Sequence, residues 1–100
     1  MNNEENLQVL RKLKKKPESS QRELAKELNF SLGKLNYCLK SLQQKGLIKI
    51  KNFKKNPKKM NYLYLLTPKG ISERTKLTLN FMKRKMEEYE ELKKEIEQKK

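Results

Sequence analysis

Histidine and tryptophan are absent from this 100-residue sequence, and cysteine occurs once, as Cys38. A single cysteine excludes an internal disulfide framework and a thiolate metal site. Without histidine, neither the usual zinc sites nor a catalytic triad can be assembled. The sequence therefore predicts no catalytic residue, no metal site and no cofactor, and the protein is not expected to be an enzyme. Cys38 lies beside an apolar stripe, which favours buried packing over a redox switch.

Long apolar runs are also missing. No stretch approaches the length that a transmembrane helix needs, and the polar, acidic N-terminus is unlike a signal peptide. We therefore expect a cytoplasmic protein with no membrane partner. Apolar residues make up 34% of the chain and charged residues 38%, which allows one domain with a small core. Cores of that size often need a second chain to become stable.

Acidic residues are missing from the middle of the chain. The net charge is +14, and the stretch from Leu28 to Ser72 contains ten lysines and no acid. A solvated surface without a role would carry both positive and negative side chains. A face that binds a polyanion would carry mainly positive ones. We therefore expect an anion-binding face in this stretch. The alternative is a composition that is merely rich in lysine.

Three short helices are predicted in the first half of the chain. The first begins with Glu4 and ends at the lysine run before Pro17, and the second begins at the capping box of Ser20 and Glu23. Only two residues separate the second helix from Ser31, the cap of the third. Two short helices joined by so tight a turn indicate a helix-turn-helix. A plain three-helix bundle would show the same apolar pattern.

The third helix is predicted to run from Ser31, its N-cap, to Gly46, a left-handed C′ residue. Leu35, Leu39 and Leu42 form its apolar stripe. The residues on the remaining face are small, basic, amide-bearing or phenolic, and none is acidic: Gly33, Lys34, Asn36, Tyr37 and Lys40. A helix with these two faces is a candidate DNA-reading helix.

The side chains of that face suit different parts of duplex DNA. Asn36 can pair with adenine, and Lys34 with the acceptors of guanine. Tyr37 is expected to contact DNA beside them; the alternative is that it packs beneath the hairpin that follows. Ser31 and the first-turn amides suit a phosphate, and Lys40 suits another.

A β-hairpin is predicted after the third helix. Residues 47–53 alternate apolar and lysine side chains, and residues 62–66 are rich in aromatic and branched ones. The turn between them carries four lysines: Lys54, Lys55, Lys58 and Lys59. In this position a cationic tip is typical of a wing that contacts phosphates or the minor groove, and the alternative is a solvated loop. The sequence thus predicts a mostly α fold, an α+β winged helix-turn-helix with a three-helix core and a two-stranded β wing.

A long last helix is predicted from Pro68, behind the N-cap Thr67, to about residue 97. At 1.5 Å per residue it is about 45 Å long, too long for a domain of this size. Near-heptad spacing aligns six apolar residues, called the seam below: Leu79, Met82, Met86, Tyr89, Leu92 and Ile96. We expect the seam to form a parallel or an antiparallel coiled coil with a second copy; a solvated tail is the alternative. The predicted domains are residues 1–67, which bind DNA, and residues 68–100, which dimerise.

Residues 20–28 and 31–40 resemble the winged-helix core of MarR-type transcriptional regulators. Residues 52–53, 64–71 and 83–86 extend the similarity to the small subgroup associated with exopolysaccharide (EPS) gene clusters. The resemblance covers roughly residues 5–97. It implies a bacterial or archaeal, nucleoid-associated homodimer that binds a palindromic operator in double-stranded DNA. It also implies control of exopolysaccharide or other surface-polysaccharide genes.

Two features depart from standard MarR proteins. Little chain precedes the first helix, so the last helix is expected to form the dimer. Because little protein is available to form a pocket, no small-molecule ligand is expected. Lysines replace the usual wing arginine, and lysine binds phosphate as a point charge. Two other classes stay open: a protein-interaction adaptor built on a winged helix, and a non-specific nucleic-acid binder.

Overall fold

The predicted fold class is confirmed by a computed structural model, which describes residues 3–56 and 59–98, and side chains outside 52–61. In these residues four helices and two strands follow one another: α1 (Asn3–Lys15), α2 (Gln21–Leu28), α3 (Leu32–Gln44), β1 (Ile48–Asn56), β2 (Lys59–Leu66) and α4 (Pro68–Gln98). None of the described helices is long and apolar enough to cross a membrane.

α2 and α3 meet in a tight turn that two serine caps define. The Ser20 hydroxyl accepts the Glu23 N–H at 3.1 Å, and the Ser31 hydroxyl accepts the Lys34 N–H at 3.0 Å. Between the helices Asn29 adopts a left-handed conformation with φ of 58°, which asparagine tolerates better than most residues. Both predicted N-caps are confirmed.

One apolar cluster joins the helices, the hairpin and the start of α4. Its buried members are Leu7, Val9, Leu10, Leu13, Leu24, Ala25, Leu35, Cys38, Leu39, Leu42, Leu47, Ile48, Tyr64 and Leu77. Because Ile48 and Tyr64 of the hairpin belong to this core, the plain three-helix bundle is excluded. The Leu35, Leu39 and Leu42 stripe of α3 faces inward, as its spacing predicts.

Cys38 is fully buried in this cluster, and burial raises the pKa of its thiol. Since the thiolate is the reactive form, we expect an aromatic disulfide reagent to label Cys38 at least about tenfold more slowly in the native chain than in guanidinium. Absorbance of the released thiol measures both rates. Equal rates would show that Cys38 is accessible and that its assignment to the core is wrong.

The hairpin is tied to the connection between α1 and α2. Strands β1 and β2 are antiparallel, with Ile48 opposite Leu66. The Tyr64 N–H donates to the Pro17 carbonyl at 3.1 Å, and its hydroxyl accepts from the Gln21 amide at 3.1 Å. These bonds hold β2 against the helix-turn-helix.

The strands extend further toward the tip than predicted. Pairing continues through Lys54 opposite Met60 to Asn56 opposite Lys59, with an irregularity near the end. The predicted six-residue turn, residues 54–59, is therefore wrong. The strands continue to pair beyond the residues whose apolar and lysine side chains alternate. In a two-stranded sheet each strand is an edge strand, and edge strands tolerate charged side chains.

The end of α3 is fastened to the start of α4 at what we call the α3–α4 junction, residues 45–47 and 67–70. Gly46 takes the predicted left-handed conformation, with φ of 74°. Its carbonyl accepts the Thr67 hydroxyl at 2.6 Å, and the Leu47 carbonyl accepts the Thr67 N–H at 3.0 Å. The Thr67 hydroxyl in turn caps α4 by accepting the Gly70 N–H at 3.0 Å. The Lys69 ammonium adds a bond to the Lys45 carbonyl at 3.1 Å.

Only the first part of α4 packs on the domain. Leu77 is buried, Phe81 is partly buried, and Arg84 approaches Glu4 of α1 at 4.0 Å. From Met82 to Gln98 every residue is exposed in the single chain. The helix thus projects beyond the core, as its length predicts.

Candidate nucleic-acid interface

The N-terminus of α3 carries no acidic residue. In α2 the third helical position holds Glu23, whereas in α3 the same position holds Lys34, and the first turn contains no acid. A helix N-terminus without its own carboxylate keeps its partial positive charge available to an outside anion. The start of α3 therefore suits a phosphate group.

The outward face of α3 is formed by the residues predicted from the sequence. Gly33, Lys34, Asn36, Tyr37 and Lys40 are all exposed, as is the cap Ser31. Their contact with DNA stays a prediction, but they share one solvent-facing surface.

Tyr37 does not pack beneath the hairpin. Its side chain is 65% exposed, so that alternative is wrong. An exposed phenol beside an exposed Asn36 presents a flat ring and a bidentate amide together. Such side chains suit contacts in the major groove.

Lys34 is held by its own domain. Its ammonium lies 3.2 Å from the Glu5 carboxylate of α1 and 4.4 Å from the centre of the Phe30 ring. A DNA contact by Lys34 has to replace the contact with Glu5. Ion pairs this exposed contribute at most about 1 kcal/mol, so a phosphate or base edge can displace Glu5 at small cost.

Three exposed residues of α3 and β1 have no role in the sequence prediction. Leu32 lies at spacings of three and seven from Leu35 and Leu39, which predict burial, yet it is 47% exposed. Lys49 and Lys51 are exposed on β1, on the side opposite Ile48. Their alternation with isoleucines is the signal that could have identified them. Leu32 could touch a thymine methyl, and the lysines could touch phosphates.

The wing lysines can be placed only in part. Lys54 and Lys55 lie in β1 and Lys59 in β2, while Lys58 lies outside the described residues, as do the side chains of all four. The backbone alone places the first three near the end of the hairpin. Within the described residues, no group of His, Cys, Asp and Glu could hold a metal ion.

Comparison with known proteins identifies the class of fold. Residues 6–49 match a family model described as winged helix-turn-helix DNA-binding. No curated protein is similar enough in sequence to count as a relative. Several solved structures share the fold.

Three of these structures illustrate the similarity. FabT of Streptococcus pneumoniae, solved in complex with DNA, is 23% identical over 87% of this chain, with a TM-score of 0.64. ZitR of Lactococcus lactis, a zinc-responsive MarR family member, is 26% identical over 90%, with a TM-score of 0.61. PcaV of Streptomyces coelicolor, solved with its natural ligand, is 18% identical over 78%, with a TM-score of 0.68.

This chain spans 54% to 59% of the length of those three proteins. It has a winged helix-turn-helix DNA-binding fold, the fold of MarR-family transcriptional regulators.

Proposed function

We propose that this chain is a MarR-type transcriptional regulator that binds a palindromic operator in double-stranded DNA as a homodimer. The observation that carries the proposal is the exposed, acid-free face of α3 within a winged-helix fold. FabT, which has the same fold, was solved in complex with DNA. The net charge of +14 supports a polyanionic partner.

Each part of the face has a separate role in this proposal. Lys34, Asn36 and Tyr37 read base edges in the major groove, Lys34 after its ammonium leaves Glu5. Gly33 lets the α3 backbone come close to the DNA. Ser31 and the first-turn amides hold a phosphate. Lys40 and the wing lysines, Lys54, Lys55, Lys58 and Lys59, bind further phosphates and set the register.

The dimer is proposed to form through α4. The seam residues are 54–67% exposed in the single chain. An exposed apolar stripe on a projecting helix indicates a surface that a partner buries. A second copy can be that partner and places two α3 helices on two half-sites. The functional division then falls near residue 67, with residues 68–100 as the dimerising part.

The biological setting follows from the same proposal. A DNA-binding regulator of this type acts in the cytoplasm, at the nucleoid, and needs no enzymatic activity or cofactor of its own. Control of exopolysaccharide or other surface-polysaccharide genes is proposed from the sequence resemblance to the EPS-associated subgroup alone.

A second candidate is a protein-interaction adaptor, which the exposed seam also favours. In that case α4 pairs with a different protein, and the winged helix is only a scaffold. Sedimentation of the pure chain separates the two, because a micromolar monomer favours the adaptor and a dimer favours the regulator.

Selection of binding sites from a random duplex pool, followed by fluorescence anisotropy, tests the DNA-binding proposal. We expect a palindromic site and a log–log salt dependence with a slope of about −9 if about ten phosphates are contacted. Asn36→Ala is expected to weaken binding to that site by about 1–3 kcal/mol per half-site and to leave binding to random DNA unchanged, because it removes a base contact from each protomer.

The matched control is Lys40→Ala, a phosphate contact on the same helix. It should weaken binding to selected and random DNA equally and reduce the salt slope by about two, because the dimer loses one phosphate contact in each half-site. If Asn36→Ala instead lowers both affinities equally, or if random RNA competes as well as the selected duplex, the chain is a non-specific nucleic-acid binder.

A further inference from the structure

α4 presents the first half of its seam on the side away from its own domain. At 100° per residue, Met86 lies about 180° around the helix from Leu77, which α4 buries in the core. Leu79 and Met82 lie within about 40° of the same direction. A partner helix can therefore approach the seam without meeting the winged domain of the same chain.

A row of charged residues runs beside the seam at seven-residue spacing, and we call it the charged row: Lys76, Lys83, Glu90 and Glu97. If Leu79 and Met86 occupy heptad position a, and Met82 and Tyr89 position d, the charged row occupies position e. Position e borders the partner helix in a coiled coil and helps to set its orientation. The first half of the row is positive and the second half is negative.

The charged row is available to a partner. All four of its residues are exposed, and none forms an ion pair with another residue in the described part of the chain. A shallow groove along the same face is lined by apolar seam residues and by charged residues, among them Leu79, Met82, Met86, Lys83 and Glu90.

We infer that α4 pairs with a second copy of itself in antiparallel orientation, about a two-fold axis near residue 87. This inference rests on the homodimer proposed above and specifies its geometry. In an antiparallel pair, position e faces position e. Lys83 then meets the partner's Glu90, and Lys76 meets the partner's Glu97. Because the two-fold axis repeats both contacts, the whole charged row is matched by opposite charge.

The parallel pair is disfavoured by Lys93. When the same heptad frame is continued, Lys93 occupies position a, and the seam residue Leu92 lies beside it at position g. In a parallel pair Lys93 would face its own copy across the interface, and like charges directly opposite repel. In the antiparallel pair it lies beside the partner's Met82, where its aliphatic stem can cover apolar surface.

A parallel pair would offer one ion pair between the helices beside the seam, but its lysine already has contacts within its own helix. This ion pair would join Lys85 to the partner's Glu90, but the Lys85 ammonium lies 3.4 Å from Glu88 of its own helix and 5.4 Å from the centre of the Phe81 ring. A parallel pair would therefore have to replace an existing contact, whereas the antiparallel pair uses charges that have no such partner.

Charge exchange between two full-length variants tests the orientation. Lys83→Glu places two acids at positions 83 and 90, and Glu90→Lys places two bases there. Each variant alone should dimerise on the order of tenfold more weakly than the unmodified chain at low salt, because attractive pairs become repulsive. An equal mixture should recover the original affinity as a heterodimer. The double variant Lys83→Glu/Glu90→Lys should recover it too. Sedimentation equilibrium measures all five samples.

The outcomes separate the inference from the proposal on which it rests. A monomeric unmodified chain overturns the homodimer itself. A dimer in which Lys83→Glu has no effect and mixing gives no recovery overturns only the antiparallel orientation. In a Cys38→Ser background, mild oxidation gives a second measurement. Leu79→Cys and Ile96→Cys chains should cross-link when mixed and not when separate, whereas a parallel pair would cross-link each variant alone.

Discussion

Met86→Lys is expected to convert the chain to a monomer and to weaken operator binding by a factor on the order of 10² to 10⁴. Met86 lies at the centre of the seam and is 67% exposed in the single chain, so lysine there leaves the winged domain intact. In the proposed dimer, however, the partner helix would enclose the same side chain, where an unpaired ammonium is costly to bury. A monomer occupies one half-site at a time and loses the gain from bivalent binding, which accounts for the expected factor.

Sedimentation equilibrium and anisotropy with the selected duplex measure the two effects of Met86→Lys. The matched control is Asn80→Lys, which adds the same charge to an exposed position of α4 away from the seam. It should stay dimeric and bind at least as tightly. If Met86→Lys is monomeric but keeps full operator affinity, the dimer has no role in DNA binding.

Gly70→Ala is expected to lower the free energy of unfolding by about 1–3 kcal/mol or more, the range of overpacking in a fixed environment. A β-carbon at Gly70 would overlap the Leu47 carbonyl oxygen, which is backbone and cannot turn away. That carbonyl also accepts the Thr67 N–H, so moving it breaks the α3–α4 junction. For a domain of this size each kcal/mol corresponds to roughly 4–8 °C in Tm.

Thermal unfolding followed by circular dichroism, at equal protein concentration, measures the change. Gly33→Ala is the matched control, because Gly33 is also helical but a β-carbon there meets nothing within 4 Å. It should raise stability by up to about 1 kcal/mol through helix propensity. Equal melting of Gly70→Ala and the unmodified chain would mean that the start of α4 is not held against Leu47.

The local features of the fold could be predicted from the sequence. Ser20, Ser31 and Thr67 act within one helical turn of their own positions, so the amino-acid pattern alone indicates where α2, α3 and α4 begin. Gly46 likewise marks the end of α3 because few other residues adopt its backbone conformation. The exposed side of α3 followed from the leucine spacing.

Contacts between distant parts of the chain could not be predicted in the same way. The pairing of Lys34 with Glu5 depends on how α1 crosses α3, and the approach of Gly70 to Leu47 depends on how α4 returns to the core. The exposure of Leu32 also depends on distant parts of the chain. Its spacing places it on the apolar stripe of α3, but the buried core does not extend far enough to cover its side chain. The length of the hairpin could not be predicted either, because the strands continue to pair through backbone hydrogen bonds beyond the point where apolar and polar side chains stop alternating.

The α3–α4 junction has a consequence for how operator spacing could diverge. Because the end of α3 is hydrogen-bonded to the start of α4, we expect α3, the proposed reading helix, to move together with α4. In the antiparallel pair, one additional heptad between Phe81 and the axis would displace each α3 by about 10 Å and rotate it by only about 20°. The two α3 helices would then lie about 21 Å further apart, roughly six base pairs at 3.4 Å each, which is more than half a helical turn of the duplex. In the proposed dimer, the separation of the two α3 helices and their base contacts thus depend on separate segments of this chain. An extended dimer would fit only half-sites on the same face of the duplex, about 10–10.5 base pairs or a multiple of that apart.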